Sequence, residues 1–262
     1  MVQSLSQPSK DGKSRAVVLV KAVPQASESH GETVCVAALD EYGGWHRLYP
    51  VNFRDLKSDQ RFNRWDVIEF SWRLPEVSKD PRTESKRIVQ ESVQIVGNLK
   101  ANERQRYLEK AVVQGERAEY EAGRSLALIR PTNPKFRYEA RSVEEIAQVR
   151  KGYEDILRSP DLFGTTDIVP REPSPFEFYY EYVDADKKHN KRCHDWETER
   201  TFLKWRDLYG EERALREMQR VFGEEYPQRG MALALGTHGQ RKWQWMIIGI
   251  LRMDVTNQTS FL

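Results

Sequence analysis

The stretch from Glu32 to Arg54, ETVCVAALDEYGGWHRLYPVNFR, gathers one of only two cysteines with carboxylates, two arginines, a histidine and several aromatic rings. A thiol beside guanidinium groups has its thiolate favoured, and nearby carboxylates can move protons. Cys35 is therefore a candidate nucleophile, suited to adding to an electrophilic carbon such as a nitrile or amidine of a modified base. The same stretch is suited to binding. Trp45, Arg47 and Tyr49 alternate at a period of two and so share one strand face, where aromatic rings stack flat bases and a guanidinium meets phosphate. Glu32 and Arg54 flank that face. Ordinary packing is the competing account, with Trp45 and Tyr49 in a core, Arg47 in an ion pair and Cys35 as a small buried apolar residue.

Two further clusters carry reactive groups. DPRTES places Asp80, Arg82, Glu84 and Ser85 in a turn after a strand, and CHDWE supplies Cys193, His194, Asp195 and Glu197. Asp80, Glu84, Asp195 and Glu197 are candidate acids and bases, with Arg82 and His194 as binding groups. The structural alternatives are a solvated loop for the first cluster and a helix cap for the second, since Asp195 stands where a helix begins. Cys35, His189, Cys193 and His194 match no common zinc spacing, so no metal is expected. No Walker loop, dinucleotide fingerprint, HExxH or CxxC pair is present, and no cofactor is expected.

These groups need elements to position them. Strands are expected over Arg15–Val23, in a hairpin over Glu32–Val51, and over Asp66–Trp72 and Ser92–Leu99. A helix is expected over 103–121, a strand over 125–131, and a helix after the Ser142/Glu145 capping box that stops near Pro160. FEFYYEYV, Phe176–Val183, reads as a strand followed by a charged turn, DADKKHNKR. Two helices then cover 194–222 and end at Gly223, and strands over Met231–Leu235 and Trp243–Met253 flank a tight THGQR segment. The pattern predicts an α+β fold, a mainly antiparallel, curved or partly closed sheet with inserted helices, whose first and last strands are neighbours. Residues 1–14 read as a flexible tail, 15–158 as a β-rich N-terminal portion, 159–175 as a proline-rich connection, and 176–262 as a C-terminal portion completing the same domain. No internal repeat is visible.

Composition limits the function. The 262-residue chain carries 42 basic and 40 acidic side chains, so its net charge of +2 gives no global field for nucleic acid and any basic footprint must be local. Distant cysteines, no signal peptide and no membrane-length apolar run point to a reducing cytoplasm and no membrane partner.

ETVCxA, GxWxRLYPVxFR, DPRxES and DWE, with a GT segment ahead of a WxxIG strand, resemble a family of uncharacterised bacterial proteins over about Val18 to Arg252. The resemblance implies an association with DNA-processing and genome-defence genes, and brings no activity with it. Three functions follow: a DNA- or RNA-recognising protein, for which the resemblance implies a setting in DNA modification or phage defence, a cysteine-dependent enzyme on a modified nucleobase, or a scaffold for a protein encoded by a neighbouring gene.

Overall fold

The first strand, β1 (Asp11–Lys21), begins polar and ends in a continuous apolar run that is buried on both faces. In the computed structural model, which describes residues 10–23, 25–27, 31–53, 56–78, 80–158, 172–238, 241 and 243–254, that run lies between two cores. Ala16 and Val18 face into a barrel, and Val17, Leu19 and Val20 face a second unit. A strand covered on both sides has no solvent face to mark with polar residues.

The barrel forms because β1 has a different partner at each end. Its first half pairs with β4 (Asp66–Arg73) and its second half with β2 (Gly31–Leu39), with a register shift between Val18 and Val20. β2 pairs with β3 (Trp45–Val51), β3 runs parallel to β5 (Ser85–Ile88), and β5 returns antiparallel to β4. The ring β1-β2-β3-β5-β4-β1 is closed and has OB-fold topology. β6 (Gln94–Asn98) adds to β4 outside it.

A second ring of the same order follows. β7 (Leu126–Ile129) and β8 (Thr132–Ala140) are one strand interrupted at Arg130 and Pro131. β8 pairs with β9 (Phe176–Val183), and β9 with β10 (Lys188–Arg192). Just past β10, Cys193 makes a parallel bridge to Ile247 of β12 (Trp245–Arg252). β12 pairs with β11 (Met231–Thr237), and β11 with β7. Between its third and fourth strands lie helices over Trp196–Tyr209 and Glu211–Met218, which bring Phe202 and Met218 into this barrel's core.

The barrels pack through small residues. Ala37 and Leu39 of β2 meet Ala232 and Ala234 of β11 and Ile248 and Leu251 of β12. β1 and β12, the first and last strands, are neighbours by packing and not by hydrogen bonds. At their closest approach a Cβ on Gly249 would stand 2.5 Å from Val20 Cγ2.

Several expectations are corrected. The sheets are mixed, because β3–β5 is parallel and Val112–Val113 runs parallel to β7. That β-branched pair also splits the helix expected over 103–121 into Ala101–Leu108 and Glu116–Glu121. The charged turn is shorter than its composition suggests, because Lys188–Arg192 pairs with β9. The helix expected to stop at Gly223 continues through it in a wider π-helical stretch over Gln219–Glu225. The capping box holds, with Glu145 N bonded to Ser142 Oγ and Ser142 N to the Glu145 carboxylate. Of the expected tail and connection, residues 1–9 and 159–171 lie outside the described residues. Among the described residues no helix is long and apolar enough to cross a membrane.

Gly249→Ala should destabilise the protein by about 1–3 kcal/mol, because backbone packed against Val20 must separate. A melting temperature unchanged from wild type would contradict the close approach of β1 and β12.

Candidate functional site

Residues from the first two sequence clusters meet at the seam between the barrels. Arg47 is 3% exposed. Its Nη2 donates to the Ser125 carbonyl at 2.8 Å and to Ser125 Oγ at 3.2 Å, and its Nη1 lies 3.6 Å from Cys35 Sγ. Burial is the largest influence on its pKa and lowers it. Glu84 crosses the same seam, accepting from Ser125 N at 2.7 Å, Ser125 Oγ at 2.9 Å and Leu126 N at 3.3 Å. Its carboxylate is thereby committed to the first turn of chain entering β7. Asp80 and Arg82 pair with each other, Nε to Oδ1 and Nη2 to Oδ2 both at 2.7 Å. Burial works to raise the Asp80 pKa, but the Arg82 bonds outweigh it and hold the acid below its ordinary range.

The third cluster lies at a separate contact. Asp195, 2% exposed, caps the Trp196–Tyr209 helix by accepting from Glu197 N at 3.2 Å and Thr198 Oγ1 at 3.1 Å. It also takes Arg64 Nη2 at 2.6 Å and Ile250 N at 3.1 Å. Arg64 reaches further, to the Ile250 carbonyl at 2.8 Å. Glu197 pairs with Lys21 at 3.1 Å, and Lys21 Nζ also lies over the Phe53 and Trp196 rings. The structure therefore brings Cys35, Arg47 and Glu84 together and leaves Asp195 and Glu197 on another part of the seam.

The remaining positions divide between the seam and the periphery. Trp45 packs into the core between the barrels. Tyr49 is partly buried and its hydroxyl accepts from Thr33 Oγ1 at 3.4 Å. Glu32 pairs through its backbone with Ala26, its side chain lying outside the description, and Arg54 is outside the described residues. Among the described residues no three His, Cys, Asp or Glu side chains group as metal ligands.

In the second barrel the corresponding face is partly exposed. Phe178, Tyr180 and Tyr182 point inward from β9, which turns Glu177, Tyr179 and Glu181 outward. Tyr179 stands opposite Arg137 of β8 on one side and Arg192 of β10 on the other. Arg192 pairs with Glu177 at 2.7 Å and Arg137 with Glu181 at 3.2 Å. The Tyr179 hydroxyl donates to Glu177, and burial, then that carboxylate, push its pKa up to about 12. Where the strands end, burial, then Arg192, Arg141 and His238, push the His194 pKa down to about 4. His238 opens the loop between β11 and β12, which carries Arg241 and Trp243, the latter 69% exposed. By composition FEFYYEYV marks a strand and does not single out Tyr179. Its alternation, with Glu, Tyr and Glu on one face, was the available signal.

A family model described as Domain of unknown function (DUF8757) matches residues 106–262. The chain belongs to that family. A second, Domain of unknown function (DUF8758), matches residues 12–113, so the two models meet near the junction between the barrels. No curated protein matches the chain. One solved structure, of a replication protein A heterotrimer bound to ssDNA, is similar at 13% identity and a TM-score of 0.37. The likeness covers 90% of this chain, which spans about half of that one, 46%.

Asp195→Ala should cost about 3–5 kcal/mol, since Arg64 is left buried without its anion. A loss below about 1 kcal/mol in urea unfolding would show that water or another group replaces the carboxylate. Stability should also depend on pH through His194. Its folded pKa of about 4 lies below its ordinary value of 6.5, so the unfolded chain binds more protons between those values. The His194 contribution is complete above pH 6.5 and is lost as pH falls toward 4, and His46, also lowered by burial, acts in the same direction. The urea midpoint should fall across that window, less steeply in His194→Gln. An equal slope in wild type and variant would remove His194 as a cause.

Proposed function

We propose that this protein binds single-stranded nucleic acid across the outer face of its second barrel. Bases stack on Tyr179 and Trp243, and phosphates meet Arg137, Arg192 and Arg241. The row Arg137, Tyr179, Arg192 carries this reading, because it sets a half-buried ring on the outer face between two guanidinium groups on adjacent strands. In barrels of this topology oligonucleotides lie on the second and third strands and beside the loop joining the fourth and fifth. Those elements here are β9, β10 and the loop holding Trp243. The first barrel's equivalent face, with Ala37, Leu39 and Trp45, is occupied by the second barrel.

At rest Glu177 and Glu181 hold the arginines, so a phosphate must displace a carboxylate. Binding is therefore of moderate strength and depends heavily on stacking. Cysteine chemistry is less favoured, because Glu84 and Asp195 are engaged by backbone amides and cannot move protons freely. A setting in bacterial DNA modification or defence belongs to the same reading and rests on the motif resemblance alone.

Fluorescence anisotropy with labelled single- and double-stranded DNA and RNA at two salt concentrations tests it. Tyr179→Ala and Trp243→Ala should each weaken single-strand binding by about 1–3 kcal/mol, and Glu177→Gln should tighten it by freeing Arg192. No binding at low salt, or binding indifferent to both aromatic substitutions, would overturn the proposal.

A further inference from the structure

One end of the first barrel is filled with polar groups. Ser14, His46, Trp72 and Lys86 each stand two residues from an inward-facing apolar side chain, namely Ala16, Leu48, Phe70 and Ile88. Lys86 Nζ lies 2.7 Å from His46 Nδ1, 3.4 Å from Ser14 Oγ and 4.0 Å from the centre of the Trp72 ring. On its other side, His46 Nε2 is 3.2 Å from Asp40 Oδ2. A carboxylate only accepts, so Nε2 carries the imidazole proton and Nδ1 is left as an acceptor for the amine. Asp40 is itself fixed, its Oδ1 taking Tyr42 N at 2.9 Å and Gly44 N at 2.7 Å. His46 is further set by edge-on contact with Phe70 at 5.9 Å.

Lys86 thus faces a neutral imidazole, a hydroxyl and an indole, with the Asp40 carboxylate on the far side of the His46 ring. Burial pushes its pKa down to about 8 against the opposing charge of Asp40. Burial, then Lys86 itself, also lower the His46 pKa, so the imidazole is neutral at neutral pH. Lys86 and Trp72 are only partly buried, leaving the amine open to a small molecule.

We propose that Lys86 is a nucleophilic amine that captures small aldehydes at the mouth of the first barrel, with His46 Nδ1 as the proton acceptor. The free amine adds its lone pair to the carbonyl carbon, forming a C–N bond as the C=O electron pair moves to oxygen. The amine proton passes to Nδ1. The resulting carbinolamine loses its oxygen as water, taking protons from His46 and from the nitrogen, and leaves an imine on Lys86. Ser14 Oγ accepts a hydrogen bond from Trp72 Nε1 at 2.8 Å, so its own hydroxyl proton remains free to hydrogen-bond the carbinolamine oxygen. No oxidant, metal or leaving group other than water is required.

The test is labelling of the full-length protein at pH 7 with propionaldehyde and sodium cyanoborohydride, which reduces the imine to a stable secondary amine. Peptide mapping over time should show Lys86 labelled about tenfold faster than Lys188, whose side chain is 74% exposed. Lys86→Arg, with its fold checked by circular dichroism, should lose the fast label and leave the others unchanged. Labelling of Lys86 no faster than Lys188 would overturn the proposal.

Discussion

Two buried carboxylates fix how the barrels meet, and the accessible surface follows from that. Glu84 belongs to the first barrel and takes its hydrogen bonds from Ser125 and Leu126 at the start of the second. Asp195 belongs to the second and takes Arg64 from the first. The apolar contact between Ala37, Leu39, Ala232 and Ala234 supplies area but no direction, because the hydrophobic effect does not discriminate among angles. A carboxylate removed from water without its donors costs several kcal/mol, so other docking angles are penalised. In this role the two acids set orientation more than net stability.

That docking gives the same surface opposite fates in the two barrels. In the first, β2 and β3 turn Ala37, Leu39 and Trp45 outward together with one charged side chain, Arg47, which donates to Ser125, and β11 and β12 bury them. In the second, β9 and β10 turn Tyr179 outward among arginines and glutamates. Such a face cannot be buried cheaply, since each ion pair would lose hydration. It therefore stays in water, where a ligand bearing its own charges can exchange with the glutamates.

The elements were legible where one face was wet. Asp66–Arg73 and Phe176–Val183 alternate and were found, and the Ser142 box marked its helix. Strands buried on both faces, such as LALI and MALALGT, show no alternation, so their shared membership in the interface could not be read. The repetition of topology was invisible because it lies in hydrogen-bond order and not in residue identity. The motif residues were found as chemically dense positions, yet density alone does not separate a buried clasp from a reacting group. Glu84 and Asp195 required knowledge of Ser125 and Arg64, 41 and 131 positions away. The period of two sets His46 on the strand face opposite Arg47, but its partner Lys86 lies on another strand, 40 positions away.

The near-neutral net charge carries less information than it first suggests. A chain with 42 basic and 40 acidic groups could lack any basic surface, or could hold its basic groups already paired. On β8 to β10 they are paired, as Arg137 with Glu181 and Arg192 with Glu177. Pairing keeps the guanidinium groups extended and oriented beside Tyr179, which would lower the ordering cost of the proposed contact with phosphate. In the same proposed mode, the carboxylates would repel backbones that bring charge without a base to stack. In the proposed binding mode, charge balance within the face would act as a filter, admitting ligands whose stacking on Tyr179 and Trp243 compensates for the displaced ion pairs.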